Sequence, residues 1–331
     1  MRYDPWKVQE GCADYGVGGG GATFAAAFRS IDVMTRTPSV SLCGLLCAVL
    51  LIAGAATAGP QNGSAPLWYG QDGEPLPFVS HDEALSFLRQ AAVLESEEIE
   101  GSQNRPLRMV LEKDGVRARA IFRRVYETWQ REWIRGRWHL YLIDRAISER
   151  AAYVVARMLG FDNIPPTVLR ELDGKRGTLQ LWLEGMETQS ELIERRAEMS
   201  PGWADQMAGI WVFDNLLFNA DRHPGNLLID RVGRVWMIDH TQAFQYDERL
   251  IDIDQLRRIP RPMWERLREI SEAEFEEALA DSLNDQQLGA FFKRRRRLVE
   301  LIEGLIAELG EARVLLEGPL ARSRNPMRNP G

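Results

Sequence analysis

The feature that most constrains this chain is a polar cluster inside an apolar segment, the stretch DNLLFNADRHPGNLLID at 214–230. Asp221, Arg222, His223 and Asn226 fall within six consecutive positions, with apolar runs before and after them. The intervening proline and glycine indicate a turn, but a turn alone does not require four polar side chains together. Polar groups among buried neighbours cost free energy unless they find partners. The pattern therefore indicates a functional loop held between two packed elements.

The elements around this loop bring it close to one further acidic residue. An apolar-rich helix over 203–219 leads into the loop, and two short strands joined by a turn end on Asp239. We therefore expect Asp221, Asn226 and Asp239 to meet at one edge. Phosphoryl transfer requires such a set, namely a carboxylate that orients a hydroxyl and an Asn and an Asp that hold Mg²⁺. The alternative is an Asx-rich turn in which Asp239 only caps a strand.

Length and charge exclude some classes of protein. The chain has 331 residues, with 41 basic and 48 acidic side chains and a net charge of −7. This balance does not favour binding to polyanions, so we expect no nucleic-acid partner. The basic run KRRRR at 293–297 is typical of a solvated helix face, with an acidic substrate or a membrane surface as the alternative. A hydrophobic content of 45% and this length fit one large domain or two small lobes.

The N-terminal part has the pattern of an export signal. An apolar run over 42–55 is followed by the small residues Ala56 and Ala58 in the A-x-A arrangement of a signal-peptidase site. We predict a signal peptide over 34–58, preceded at 1–33 by a low-complexity leader or a start codon assigned too early. The protein would then be exported, to a periplasm or outside the cell. An uncleaved membrane anchor is the alternative, and membrane contact is expected only through that segment.

The mature chain after the signal peptide contains no cysteine. All three cysteines (Cys12, Cys43 and Cys47) precede the cleavage site, so disulfides and thiolate metal sites are excluded from the mature chain. Residues 59–79 are rich in Gly, Pro, Ser, Asn and Gln, which predicts a flexible linker. We expect order to begin at Ser80, at the start of a helix in which His81 is exposed.

The rest of the chain predicts an α+β arrangement in two lobes. Strand-like runs flank the turn Lys113–Gly115, and two more strands follow near 164–184, so residues 80–184 form a small antiparallel sheet with one helix. That helix lies near 147–158, with Asp144 as its predicted N-cap. Residues 185–331 are mostly helical. Glu149 lies on a second apolar face of the helix and is expected to point into protein, with a solvated surface position as the alternative.

The stretches NADRHPGNLLID and VWMIDH resemble the catalytic core of atypical kinases, notably phosphoinositide 3-/4-kinases, HipA-type kinases and secretory-pathway kinases. The segment ISERAAYVVARMLGFDNIPPTV is similar to the part of the latter two families that carries the helix Glu. The resemblance extends in outline from Ser80 to about Leu315. It implies a two-lobed protein-kinase-like fold, with a small antiparallel sheet and one helix followed by a mostly helical lobe.

The resemblance also implies roles for individual residues. Asp221 corresponds to the catalytic Asp, and Arg222 and His223 to loop-organising residues, His223 near the γ-phosphate. Asn226 and Asp239 correspond to the metal ligands, and Glu149 to the helix Glu that pairs with the nucleotide-binding Lys. Leu181 and Glu184 fall where adenine is contacted. ATP and Mg²⁺ or Mn²⁺ are the implied cofactors.

Two positions depart from the pattern of these families. The D-F-G tripeptide reads Asp239-His240-Thr241, and the strand position expected to hold Lys is occupied by Arg123. A planar guanidinium cannot reproduce the contact of a compact ammonium without rearrangement. Either Arg123 contacts the phosphates in its own way, or the site is weakened. The alternative for this residue is an ordinary strand Arg that faces solvent.

The sequence thus predicts an exported kinase-like phosphotransferase that moves the γ-phosphate of ATP to a hydroxyl of a protein, a lipid or a sugar. The alternative is a pseudokinase or nucleotide-binding scaffold that regulates a partner. The set Asp221, Asn226 and Asp239 favours chemistry, whereas Arg123 favours the pseudokinase.

Overall fold

The structure is a computed structural model that describes residues 68–101, 104–134 and 137–317. The chain divides into two compact units, 1–59 and 60–331, and the described residues all belong to the second. The predicted leader and signal peptide and the first part of the predicted linker lie outside the described residues.

The N-terminal lobe is built on a five-stranded antiparallel sheet, in the order β1-β2-β3-β7-β6. In chain order, the elements of this lobe are α1 (His81–Gln90), β1 (Ala92–Glu98), β2 (Leu107–Lys113), β3 (Val116–Arg123), β4 (Tyr126–Ile134), β5 (Arg137–Arg145), α2 (Ile147–Met158), β6 (Thr167–Leu172) and β7 (Lys175–Leu181). Strands β4 and β5 pair with each other and are not part of the five-stranded sheet. The predicted turn between β2 and β3 is confirmed, since Asp114 and Gly115 both have positive φ, as a tight hairpin requires.

The second lobe is mostly helical. Its elements are β8 (Glu187–Thr188), α3 (Gln189–Glu194), α4 (Trp203–Leu217), β9 (Leu227–Ile229), β10 (Val235–Met237), β11 (Ile259–Pro260), α5 (Arg261–Glu269), α6 (Glu272–Leu279), α7 (Asp285–Leu309), α8 (Glu311–Val314) and β12 (Leu315–Leu316). The predicted two-lobed α+β fold is therefore confirmed. Within the described part of the chain, no helix has the length and apolar character needed to cross a bilayer.

Apolar packing joins the two lobes. Helix α2 contributes Ala151, Val155 and Ala156 to the large core that also contains residues of α4 and α7. In the opposite direction, Trp236 of β10 packs into the core of the N-terminal sheet. Each lobe therefore buries side chains of the other, which fixes the cleft between them.

The hairpin of β4 and β5 was not predicted, and it stands apart from the five-stranded sheet. Its inner face contacts the second lobe, where Leu142 packs with Phe218, Ala220 and Ile251. The hairpin therefore lies beside the segment that leads into Asp221.

Residues 68–79 correct the linker prediction. The Trp68 side chain is only 1% exposed, and with Leu76 and Phe78 it belongs to the core of the N-terminal lobe. The Phe78 ring lies 5.0 Å from that of Phe87 on α1. The prediction of a flexible linker over 59–79 is wrong for these twelve positions, because three large apolar side chains offset the entropy cost of ordering them.

His81 was expected to be exposed, but it is buried. Its ring packs edge-on against Trp68, at 5.1 Å between centroids, and its Nδ1 lies 3.1 Å from the Tyr153 hydroxyl of α2. Burial, assisted by the nearby cation Arg157, lowers the pKa of His81 to about 4.

The basic run at 293–297 is also partly buried. Arg294 donates to the carbonyl oxygens of Leu216 and Gln245, and Arg295 donates to that of Leu267. Burial lowers the pKa of Arg294 to about 9. The prediction of a solvated face is wrong for these two residues, which tie α7 to α4, to α5 and to the loop at Gln245.

The buried His81 predicts a dependence of stability on pH. The unfolded chain binds a proton on this side chain near pH 6.5, whereas the folded protein does so only near pH 4, so acid favours unfolding. Lowering the pH from 7 to 5 should reduce the free energy of unfolding by about 1 to 2 kcal/mol, measured by urea denaturation. His81→Phe keeps a ring against Trp68 and should lose most of this dependence. An equal pH dependence in both proteins would contradict the assignment.

Candidate active site

The cleft contains a cation that faces carboxylates from two elements. Arg123, the last residue of β3, places Nη1 3.6 Å from Oε1 of Glu149 and Nη2 3.9 Å from Oδ2 of Asp239. Arg123 is buried, so it is not a solvent-facing strand residue. One guanidinium thus connects α2 with the segment after β10.

The neighbouring strand is shaped to hold Arg123 in this place. Arg123 pairs with Thr178 of β7, and the glycine before Thr178 lies directly against the end of β3. A Cβ atom added at Gly177 would lie 2.3 Å from the Arg123 carbonyl oxygen, well inside van der Waals contact. The absence of a side chain at Gly177 therefore allows the close approach that positions Arg123.

Glu149 is fully buried, at 0% exposure, which excludes the solvated alternative. Its Oε2 accepts from Nε2 of Gln180 at 3.4 Å and lies 3.4 Å from Nδ1 of His240. Burial alone would raise the pKa of Glu149, but the charge of Arg123 and the hydrogen bonds from His240 outweigh burial and lower it. The carboxylate is therefore ionised at neutral pH.

The loop at 221–226 is held by its own side chains. Nδ2 of Asn226 donates to the Asp221 carbonyl oxygen at 3.0 Å. The amide oxygen of Asn226 takes no part in this bond. Nδ1 of His223 accepts from the Gly225 N–H at 3.1 Å. In a neutral His223 ring the hydrogen then lies on Nε2. His223 thus caps the turn and remains exposed beside Asp221.

Arg222 is buried, and its hydrogen bonds hold the loop in place. It forms a fork with Asp214 of α4, with Nε at 2.9 Å from Oδ2 and Nη2 at 3.2 Å from Oδ1. It also donates to the carbonyl oxygens of Asn226 and Ile238, both at 2.9 Å. One buried cation thus joins α4, the loop and the end of β10.

Asp239 has φ of +58°, a left-handed conformation that a non-glycine residue adopts only when its surroundings impose it. Its Oδ1 accepts from the Thr241 hydroxyl at 3.2 Å. Burial raises the pKa of Asp221, and the negative charges of Asp239 and Asp144 add to the shift. Three carboxylates therefore interact repulsively around this part of the cleft.

Asp144 is the member of this group that sequence reasoning missed. It was interpreted as the cap of α2, but the helix begins after Ala146 and receives no side-chain cap. Asp144 is 1% exposed; Asn104 donates to its Oδ2 at 2.9 Å, and its Oδ1 has no hydrogen-bond partner. Burial raises the pKa of Asp144, and Asp239 contributes to the increase. A signal was present, because Asp144 ends an apolar strand five residues before Glu149.

These oxygens suit a hard divalent cation. Asp239, the amide oxygen of Asn226 and the unpartnered oxygen of Asp144 are of the type that Mg²⁺ and Mn²⁺ prefer. In the part of the chain that the structure describes, no three His, Cys, Asp or Glu side chains are close enough to hold a metal by themselves. A cation held by these residues would need further ligands, such as phosphate oxygens or water.

The chain is similar to one family model and to several proteins of known structure. A family model described as phosphatidylinositol 3- and 4-kinase matches residues 171–286. A structure of hydra Fam20 with sugar is 16% identical, with a TM-score of 0.53, and the match covers 71% of this chain and 91% of that one. At this level of identity, the match shows that the chain shares the fold of that protein.

Structures of the Golgi casein kinase share this kinase-like fold. One is 15% identical to the chain, with a TM-score of 0.53 and coverage of 71% of this chain and 79% of that one. A second, with Mn/ADP bound, has the same identity and TM-score and covers 71% and 78%. No curated protein sequence matches the chain.

The segment between the lobes of this kinase-like fold contains the two predicted adenine contacts. Leu181 is buried in the core of the N-terminal lobe. The Glu184 carboxylate is held by both Nε and Nη2 of Arg119, whose guanidinium stacks on Trp182 at 5.5 Å. Both side chains are thus engaged within the protein, and their contact with adenine stays a prediction.

The buried ion pair of Arg222 predicts a large loss of stability on its removal. Arg222→Met leaves the Asp214 carboxylate buried without its cation and should cost about 3 to 5 kcal/mol of unfolding free energy, measured by urea denaturation. The matched control is Arg258→Met, which removes an exposed ion pair to Asp205, 2.8 Å long. That change should cost less than about 1 kcal/mol. Equal losses would show that Arg222 is not a structural centre of the loop.

Proposed function

We propose that the chain is an exported kinase-like phosphotransferase that moves the γ-phosphate of ATP to a hydroxyl group with the help of Mg²⁺ or Mn²⁺. The observation that carries the proposal is the placement of Arg123 at salt-bridge distance from both Glu149 and Asp239. A nucleotide site of the kinase type needs a cation held toward the phosphates by a helix carboxylate, next to a metal-binding carboxylate.

Each residue has a distinct task in this proposal. Arg123 binds phosphate oxygens, and Glu149 keeps its guanidinium in place. Asp239, Asn226 and Asp144 would hold the divalent cation, which would offset negative charge on the phosphates. The Mn/ADP bound to the Golgi casein kinase supports a nucleotide with a divalent cation as the ligand here.

Asp221 orients the attacking hydroxyl. The hydroxyl oxygen forms a bond to the γ-phosphorus, the bond from that phosphorus to the β,γ-bridging oxygen breaks, and ADP leaves with the electron pair. The hydroxyl proton passes to Asp221 or, through it, to water. Burial raises the pKa of Asp221, which suits a carboxylate that must accept a proton during transfer. His223, exposed beside it, contacts the transferred phosphate.

The substrate is a hydroxyl of a protein, a lipid or a sugar, and similar proteins provide support for each. The matching family model is named for phosphatidylinositol kinases, and the two structural neighbours are a casein kinase and a protein with bound sugar. The signal pattern over 34–58 supports export, and the Golgi location in a neighbour's name agrees with it.

One observation favours a second function, a pseudokinase that regulates a partner. Arg123 occupies the position of the expected Lys, and its guanidinium already faces two carboxylates. A cation satisfied in this way has less to gain from phosphate than a free ammonium. The pseudokinase would bind nucleotide without transferring phosphate.

The metal and transfer roles can be separated by two substitutions. ATP with Mg²⁺ or Mn²⁺ should raise the melting temperature of the purified protein, because a ligand that binds only the folded state stabilises it. Asp239→Ala should abolish this shift by removing the main metal ligand. Asp221→Asn should keep most of it and reduce phosphate transfer at least about a hundredfold, followed by mass spectrometry. If the wild type shows no shift with any nucleotide, the proposal fails.

Arg123→Lys distinguishes the kinase from the pseudokinase. A gain in phosphate transfer would identify a kinase weakened by its Arg, because the compact ammonium restores the usual contact. Loss of transfer from an active wild type would show that Arg123 binds phosphate in its own way. The absence of transfer in both proteins, with nucleotide binding intact, would favour the pseudokinase. Arg124→Lys, a change at the neighbouring exposed Arg, is the matched control and should have no effect.

A further inference from the structure

His240 is a buried polar residue next to Asp239 that no role described above includes. It comes directly after Asp239, is 0% exposed, and packs edge-on against the Phe213 ring of α4 at 6.2 Å. Polar side chains in such a place are expected to satisfy their hydrogen-bonding groups.

Both ring nitrogens of His240 face charged groups. Nη2 of Arg222 lies 2.8 Å from Nε2, and Oε2 of Glu149 lies 3.4 Å from Nδ1. A guanidinium has only donors, so Nε2 must accept, and the ring hydrogen then lies on Nδ1. From there it points at the Glu149 carboxylate, which can only accept. The two charged neighbours therefore select one tautomer and one ring orientation.

The ring joins two ion pairs from different parts of the fold. On one side lies Arg222, paired with Asp214 and bonded to the carbonyl oxygens around the loop. On the other side lies Glu149, which faces Arg123 from α2. The chain Asp214–Arg222–His240–Glu149–Arg123 thus runs from the helical lobe to the sheet.

We infer that His240 is a positioning residue, whose ring couples the loop that carries Asp221 to the helix that holds Arg123 toward the phosphates. The inference rests on the proposed function for its effect on nucleotide, but its geometry does not. A phenyl ring would fill the same space against Phe213, yet it would remove the imidazole hydrogen bond to Glu149 and leave Arg222 without one acceptor. Only the backbone N–H of residue 240 would still bond to Glu149 from the helical lobe. The Glu149 carboxylate would then lose its side-chain link to Arg222 and the loop that carries Asp221.

Two substitutions separate shape from hydrogen bonding. His240→Phe keeps an aromatic ring and removes both bonds. His240→Gln supplies an amide oxygen for Arg222 and an amide NH₂ for Glu149. The affinity for ATP with Mn²⁺, measured by calorimetry, should fall about ten- to hundredfold in His240→Phe, because a buried charged group loses a partner. His240→Gln should recover most of it. Wild-type affinity in His240→Phe would overturn the inference.

His139→Phe provides the matched control. His139 is also buried and packs edge-on against a phenylalanine, Phe218, at 5.5 Å. Its removal tests whether the loss of any buried imidazole weakens binding through general destabilisation. The control should lower the melting temperature and keep the affinity for nucleotide.

A spectroscopic measurement tests the geometry without nucleotide. The chain has four histidines, so ¹⁵N-histidine labelling of the full protein gives a small spectrum in which His240→Phe assigns one residue. We expect His240 as the Nδ1–H tautomer, with that hydrogen protected from exchange. An Nε2–H ring, or one in rapid exchange between tautomers, would overturn the inference. If the wild type binds no nucleotide but His240 is the protected Nδ1–H tautomer, the proposed function fails. The link from Arg222 through His240 to Glu149 is then still supported.

Discussion

The cleft depends on one buried guanidinium that two carboxylates share. Arg123 faces Glu149 of α2 and Gln180 of β7 within its own lobe, and Asp239 of the second lobe completes its surroundings. A buried cation without such partners would cost several kcal/mol. The glycine of β7 against the end of β3 permits the close approach of the two strands at Arg123. Apolar packing fixes the arrangement of the two lobes, and these ion pairs fix the side chains of Arg123, Glu149 and Asp239 within it.

The negative charges of the site repel one another, which favours a cation as its ligand. Asp144, Asp221 and Asp239 interact repulsively, and burial adds to the cost of keeping the first two ionised. Asp144 also has an oxygen without a hydrogen-bond partner. A divalent cation would relieve the repulsion among these carboxylates, and the Asp144 carboxylate could be one of its ligands.

Local pattern predicted much of this arrangement. The Asp-Gly turn between β2 and β3, the helix that carries Glu149 and the two-lobed order result from short-range periodicity and turn chemistry, which depend on neighbours in the chain. The predictions that failed depend on distant partners. Trp68 looked like part of a linker because its surroundings in the sequence are polar on average, and only the tertiary fold supplies the pocket that buries it. Arg294 looked solvated because its acceptors are backbone carbonyl oxygens of Leu216 and Gln245, 78 and 49 positions away.

In the candidate site, too, local pattern identified some residues, whereas those that depend on distant partners were missed. Asp221 and Asn226 were identifiable because their spacing lies within one loop. Asp144 was interpreted as a helix cap because its partners Asn104 and Asp239 lie on other elements. His240 was interpreted only as a change in a tripeptide, since its partners Arg222 and Glu149 are 18 and 91 positions away.

If these residues form a site for a nucleotide and a divalent cation, a structure with both ligands should show them bound in the cleft. The sharpest experiment is a crystal structure of the protein with Mn²⁺ and a non-hydrolysable ATP analogue, in which anomalous scattering locates the metal. We predict Mn²⁺ bound by Asp239 together with Asn226 or Asp144, and the Arg123 guanidinium in contact with phosphate oxygens. Mn²⁺ bound elsewhere, or a cleft without nucleotide at saturating concentration, would contradict this assignment.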